Sequence, residues 1–331
     1  MSNNTIYTNQ TGIHTVLAVW LAHRDYSAPV GPKTISVTTL LKPVRQIILS
    51  SRVVKTEVPT DVASLAKSQI GHALHLALEN AWKSSTLPTT LKSLGYPDRV
   101  IAKVKINPDP SDEDCIPLYF EQRKERQVNG WTVTGQYDIL FDGEVQDLKS
   151  TSVYTYIKAR KTDDYALQGS MYRWIDAGQP IPTFTKDTML IHFVFTDFSA
   201  AQSFQPDYPP SQLYSQKIPL LSLNHTQSFI TTKLDLLEEL WEAPEEALPE
   251  CTEEELWRSE PVFKYYKNPE KKTRSTKNFD NYQDAYAKLA EDGHVGVVDE
   301  VKGKVKACLY CSAFSECKQK DRLIFDGSLE V

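Results

Sequence analysis

No run of eighteen apolar residues occurs in this chain, which argues against a membrane-spanning helix. A secretory leader is also missing. The opening MSNNTIYTNQTG has neither a basic region nor an apolar core, so the expected compartment is the cytoplasm. There is no HExxH pattern, which leaves a zinc-protease reading unsupported, and no GxxxxGK[ST] phosphate loop, so any ATP hydrolysis would come from a partner. No internal repeat is found. Cysteine is scarce, with five in 331 residues, and in the cytoplasm such cysteines are more often metal ligands or free thiols than disulfides. What is present is ordinary for a globular protein: 40% apolar and 24% charged residues, enough for one large domain or two smaller ones.

The net charge of −6 does not advertise a nucleic-acid binder, but the charges are segregated. Residues 236–260 are strongly acidic, whereas 263–277 (FKYYKNPEKKTRSTK) are basic with interleaved aromatics. Smaller basic clusters lie at Arg123, Lys124 and Arg126, at Lys158, Arg160 and Lys161, and at Lys302, Lys304 and Lys306. A local basic surface can bind phosphates on an acidic protein, and each cluster alone also reads as a solvated charged face.

Along the chain, ISVTTLLKPVRQIILSSR predicts a capped helix start and a short helix, interrupted by Pro43. Apolar residues at helical spacing predict a helix over 61–82. Strands are expected at 116–122, 131–141 and 144–149, a helix at 163–177 and a buried strand at 188–196. The segment 198–218 reads as a loop or linker, and 227–247 as an amphipathic helix with an acidic face. The expectation is an α/β core over residues 1–220, with a central mixed sheet flanked by helices, followed by a C-terminal cysteine-bearing module over 221–331.

The most informative segment is GQYDILFDGEVQDLKS, residues 135–150. Two apolar runs flank an Asp-Gly turn, a strong hairpin signal. Asp147 and Lys149 are two apart on a strand and so share a face, with Asp138 on the preceding strand. Two carboxylates can hold a hard divalent cation, and an ammonium beside them can orient a water or offset negative charge, which suits phosphodiester hydrolysis. The same segment also reads as a surface hairpin with a cross-strand ion pair. Upstream, Gly71, His75 and Glu79 fall on one helical stripe, with His72 as the rival histidine. Downstream, Gln168 and Tyr172 share a helix face. Each alone has an ordinary structural explanation.

Taken in order, G-x-x-x-H-x-x-x-E, then G-x-x-D, D-x-K and Q-x-x-x-Y, these motifs resemble the PD-(D/E)XK nuclease superfamily, closest to its RecB/AddB-type exonuclease branch. ISVTTLLKP is similar to the opening segment of many members, and the resemblance spans residues 36–196. It implies a restriction-endonuclease-like core and a metal-dependent DNA exonuclease of recombination, repair or phage DNA processing. His75, Asp138 and Asp147 would hold Mg²⁺ or Mn²⁺ with the Leu148 carbonyl as a further ligand. Lys149 would position or activate the attacking water, and Gln168 and Tyr172 would contact DNA and steady the site. Glu121 is a weaker candidate that could complete the shell or face solvent. DNA is the implied partner, with a single-strand annealing or recombination protein, or a helicase, working beside the enzyme. A phage enzyme would act in the host cytoplasm. The alternatives are an endonuclease of the same fold and a non-catalytic DNA-binding or assembly protein built on it.

Cys308-x2-Cys311-x5-Cys317 is a tight group of soft ligands, and Cys251 or Cys115 could be the fourth. Cys251 is preferred, because it closes a loop containing the basic aromatic stretch. Four thiolates suit a [4Fe–4S] cluster or a structural zinc. The C-x2-C-x5-C tail resembles nucleases of the same branch that carry an iron–sulfur cluster, which favours the cluster. In those relatives, however, the first cysteine precedes the nuclease core, and here none precedes residue 115. A bound cluster would brace the loop so that Lys264, Lys267, Lys271, Lys272, Arg274 and Lys277 face DNA.

Overall fold

The computed structural model describes residues 6–23, 31–54, 59–158 and 161–331; Arg160 of the second basic cluster lies outside them. The chain packs as two units, one of residues Met1–Leu41 and Lys55–Asp235, the other of Lys42–Val54 and Leu236–Val331.

The first unit is α/β, built on a seven-stranded mixed sheet. In spatial order its strands are Val104–Ile106, Ile116–Val128, Trp131–Phe141, Glu144–Thr151, Thr188–Phe195 and Leu213–Pro219, with Thr34–Ser36 paired to the start of Trp131–Phe141. Both long hairpins turn on two residues with positive φ, Asn129–Gly130 (48° and 76°) and Asp142–Gly143 (46° and 75°). That is the requirement of the tight turns that match strand twist. Glu144–Thr151 and Thr188–Phe195 run parallel, so the chain must cross over between them, and the helix Thr162–Asp176 does so. Its Met171, Trp174 and Ile175 are buried, as are Val133, Leu140, Val145, Met189 and Ile191 of the sheet. The helix Ala66–Lys83 packs through Leu78 and Trp82 on Leu118, Phe120 and Ile139, which sets its His75 over the middle of the sheet.

Three expectations shift. The strand expected over 116–122 runs on to Val128; its outer half alternates exposed and half-buried polar residues, which hid it. The loop expected over 198–218 ends in an edge strand, Leu213–Pro219, whose exposed alternate residues and terminal proline suit an edge. The helix expected over 227–247 is Leu223–Leu240, stopping ahead of Pro244. Ser36 caps the short helix Val37–Leu40, accepting from Thr39 N–H at 3.1 Å, as its sequence suggests.

In the second unit, the helix Val44–Arg52 buries Ile47, Ile48 and Leu49. An antiparallel sheet orders Lys277–Phe279, Val262–Tyr266 and Val297–Val301, and the helix Tyr282–Glu291, capped by Asn281, packs beside it. Leu256, Val305, Leu323 and Leu329 form a buried cluster against which Cys251 and Cys308 rest. No helix among the described residues is long and apolar enough to cross a membrane.

Candidate active site

The two tight turns set the site by register. The Asn129–Gly130 turn pairs Val128 with Trp131, and seven residues along each strand Glu121 stands opposite Asp138. The Asp142–Gly143 turn pairs Phe141 with Glu144, the ladder ends at Ile139 with Gln146, and that register continued by one residue brings Asp138 level with Asp147. Three carboxylates thus lie in a row across three adjacent strands. At this level the ladder opens. Glu121 adopts φ 50°, a left-handed conformation rare for a non-glycine residue, and the pairs flanking it, Phe120 with Ile139 and Gln122 with Tyr137, continue without it. On the other side, the Asp138 carboxylate accepts the Leu148 N–H at 3.2 Å, where a continued ladder would have offered backbone.

A cleft of about 260 Å³ opens over this row, lined by Glu121, Asp138, Asp147, Lys149, Gln168 and Tyr172, with Ser36–Thr38 and Thr134–Gln136 at its walls. His75 overhangs it, with Nδ1 3.7 Å from Glu121 and 3.5 Å from Asp138. Ligand atoms of His75, Glu121 and Asp138 all lie within 4.8 Å of one another. Asp147 is 3% exposed; Lys149 Nζ stands 2.6 Å from its Oδ2 as an ion pair, yet that oxygen has no hydrogen bond of acceptable geometry. Gln168 Nε2 donates to the Tyr172 hydroxyl at 2.9 Å. Gly135 makes room for this tyrosine, since a Cβ there would come within 2.8 Å of its ring. Glu79, also on the His75 helix, pairs with Lys83 at 2.6 Å instead, and His72 is exposed.

Burial and the neighbouring Asp147 charge push the Asp138 carboxyl up to about 7. The contact with Glu121 raises the His75 imidazole, against the pull of burial. Burial acts to lower the Lys149 ammonium, but the charge and hydrogen bond of Asp147 and the charge of Asp138 together outweigh it, so Lys149 titrates above the ordinary lysine range. At neutral pH it is therefore a cation and a donor, unable to take a proton from water. For Glu121 burial raises the carboxyl, and the contacts with His75 and Gln136 outweigh it, leaving a stable anion.

Sequence reasoning gave Glu121 little weight and passed over Tyr165. Tyr165 lies three residues before Gln168 on the same helix, and Lys149 Nζ is 5.8 Å from its ring centroid. Its signal was available in the 165, 168, 172 spacing, one face of a helix.

In the second unit, Cys251, Cys308, Cys311 and Cys317 are half-buried, whereas Cys115 belongs to the first unit, with Sγ 3.3 Å from the Asp112 carbonyl. Burial pushes the Cys251 thiol up to about 12 and that of Cys308 to about 11, and the charges of Cys317 and Cys311 add to each. Arg45, only 4% exposed, brings Nε to 3.4 Å from Cys317 Sγ and pairs with Glu245. Gln319 fixes Cys251 by two 2.9 Å hydrogen bonds, to its N–H and its carbonyl. Among the described residues no three cysteine sulfurs lie within 4.8 Å of one another.

Of the basic residues, Lys267, Lys271, Lys272, Arg274 and Lys277 are exposed and Lys264 is half-buried. Lys272 pairs with Asp299 at 2.8 Å, and Lys264 stands opposite the same aspartate on the neighbouring strand.

No protein-family model matches this chain, and no curated protein matches it. Among solved structures it is similar to that of the protein SSO0001, at 15% identity over 67% of this chain and 84% of that one, with a TM-score of 0.40. That likeness is too loose to carry an argument.

Proposed function

We propose that the first unit is a PD-(D/E)XK-type, metal-dependent deoxyribonuclease with a restriction-endonuclease-like core, acting as an exonuclease in recombination, repair or phage DNA processing in the cytoplasm. One observation carries the reading: Asp138, Asp147, Lys149, Gln168 and Tyr172 line one cleft, and His75 overhangs it. The oxygen-rich donor set suits Mg²⁺ or Mn²⁺, which His75, Asp138 and Asp147 would hold with the Leu148 carbonyl as a further ligand. When bound, the cation supplies Lewis acidity and an acidified water.

The residues then divide the remaining work. Lys149, fixed by Asp147, offers a positive charge where negative charge grows on the phosphate, and a donor to align the water. Gln168 and Tyr172 hold one another and present donors to the DNA backbone. In the second unit, Cys251, Cys308, Cys311 and Cys317 would bind a [4Fe–4S] cluster, or zinc as the alternative. Lys264, Lys267, Lys271, Lys272, Arg274 and Lys277 would supply phosphate contacts, with a single-strand annealing protein or a helicase as the working partner.

The test is an assay on end-labelled single- and double-stranded DNA, with and without Mg²⁺. Mg²⁺-dependent release of nucleotides from ends is expected. Asp147→Ala or Lys149→Ala should lower the rate by at least about a hundredfold while DNA binding persists. Cutting of closed-circular duplex would point to an endonuclease, and DNA binding without cleavage to an assembly role.

A further inference from the structure

We infer that a second cavity of the first unit binds a small phosphate monoester of nucleotide size. Arg173, Lys186 and the start of the helix Leu223–Leu240 hold its phosphate, and Phe184 and Leu220 face its apolar part. The cavity measures about 830 Å³ and shares no lining residue with the cleft of the proposed nuclease. The residues lining it all belong to one unit. They come from the end of the helix Thr162–Asp176, the segment leading into Thr188–Phe195, and the turn between Leu213–Pro219 and Leu223–Leu240. This site goes beyond the nuclease reading and does not depend on it.

Arg173 lacks a counter-ion. Among the described residues its half-buried guanidinium makes no ion pair; Nη2 donates to the Leu221 carbonyl, and Nε is buried without a hydrogen-bond partner. A guanidinium carries five donors in a fixed fork that suits a carboxylate or a phosphate, and this one is short of acceptors. Asp176, in the same wall, has none to spare. It is 1% exposed; its Oδ1 accepts from Lys124 Nζ at 2.6 Å and Thr183 Oγ1 at 2.9 Å, and its Oδ2 from the N–H groups of Thr183 and Phe184, each at 2.8 Å. Those four contacts use a carboxylate's acceptor sites, and Lys124 balances its charge.

Two further groups favour an anion at the same place. Lys186 is exposed on the cavity wall and forms no ion pair among the described residues. Ser222 opens the helix Leu223–Leu240, and its Oγ accepts the His225 N–H at 3.2 Å. The N–H groups of Leu223 and Asn224, which also line the cavity, have no acceptor within an α-helix, and the helix dipole adds a positive end there. A phosphate monoester carries about −1.5 to −2 charges at neutral pH on three oxygens, which matches two cations and a helix start better than a single carboxylate does. Phe184 and Leu220 give the cavity an apolar wall that inorganic phosphate would leave uncovered, and its volume falls within the range of about 300–1,000 Å³ typical of small-molecule sites. Asp187 is the remaining carboxylate of the wall, exposed and without an ion pair among the described residues, and its charge opposes the anion.

Calorimetric titration of the full chain with deoxyadenosine monophosphate tests the assignment, in EDTA so that no divalent cation occupies the cleft. The nucleotide should bind at least about tenfold more tightly than either inorganic phosphate or deoxyadenosine, since each lacks half of the contacts. Arg173→Gln should weaken it by about 10–100-fold, the worth of a hydrogen bond to a charged group. Lys186→Ala should weaken it by about threefold, and Asp187→Asn should tighten it by a similar factor. No nucleotide binding, inorganic phosphate bound as tightly as the nucleotide, or unchanged affinity in Arg173→Gln each overturns the inference. Should Arg173→Gln fail to fold, the two exposed positions decide: opposite shifts in Lys186→Ala and Asp187→Asn support the site, and unchanged affinity in both overturns it.

Discussion

Asp138 is where the chemistry of the site and its pH dependence meet. Its carboxyl titrates near 7 because it is buried beside Asp147, and His75 is raised by its contact with Glu121. Both groups hold protons near neutrality that a cation must displace. Metal affinity therefore grows as pH rises through the Asp138 value, by about tenfold per pH unit for each proton released, and flattens once both groups are deprotonated. Calorimetric Mn²⁺ titrations between about pH 6 and pH 8 should show this rise, with proton release revealed by buffers of different ionisation heat. Asp138→Asn should both weaken binding and flatten the dependence; a wild-type affinity flat across that window would remove Asp138 as a ligand. The side chains of this row were legible in unequal measure. Asp138 and Asp147 stood out because the Asp142–Gly143 turn makes their pairing countable. Glu121 was equally countable from Asn129–Gly130, but the polar run after it masked the strand and with it the turn.

At the scale of elements, the packing of the helix Thr162–Asp176 on the hairpin depends on one missing methyl group. A Cβ at Gly135 would lie 2.8 Å from two Tyr172 ring carbons and 3.1 Å from Val37, so the ring, the helix or the strand would have to move. Gly135→Ala should destabilise the first unit by about 1–3 kcal/mol through this overpacking. A thermal melt should fall by about 2–4 °C per kcal/mol for a unit of this size. Combining it with Tyr172→Ala should cost less than the two changes summed, since the clash disappears; strict additivity would mean that the contact does not couple them. The helix itself was plain in the sequence, as was the strand at 131–141, because each carries its apolar residues at one clear period, and the strand at 188–196 showed as a short, nearly continuous apolar run. Edge strands such as Leu213–Pro219 bury only every other residue weakly and read as loop. Residues 42–54 pack in the unit of the C-terminal residues, an association across nearly two hundred positions that no local pattern encodes.

For the molecule as a whole, a net charge of −6 spans two units with different side-chain groups: carboxylates and an imidazole brought together in one, four half-buried thiols in the other. The second unit has a modest apolar cluster, and burial holds its Cys251 and Cys308 thiols protonated. Arg45, itself buried, donates to the Cys317 sulfur. With the proposed cluster bound, this unit would draw folding energy from it. Anaerobically purified protein should be brown, with about four irons and four sulfides per chain. Cys317→Ser should bleach it and lower the melting transition of the second unit by more than about 5 °C, whereas Cys115→Ser, in the other unit, should change neither colour nor that transition. Colourless protein carrying one zinc would sink the cluster in favour of the alternative. Full stability of Cys317→Ser in metal-free buffer would leave the four cysteines without a shared ligand.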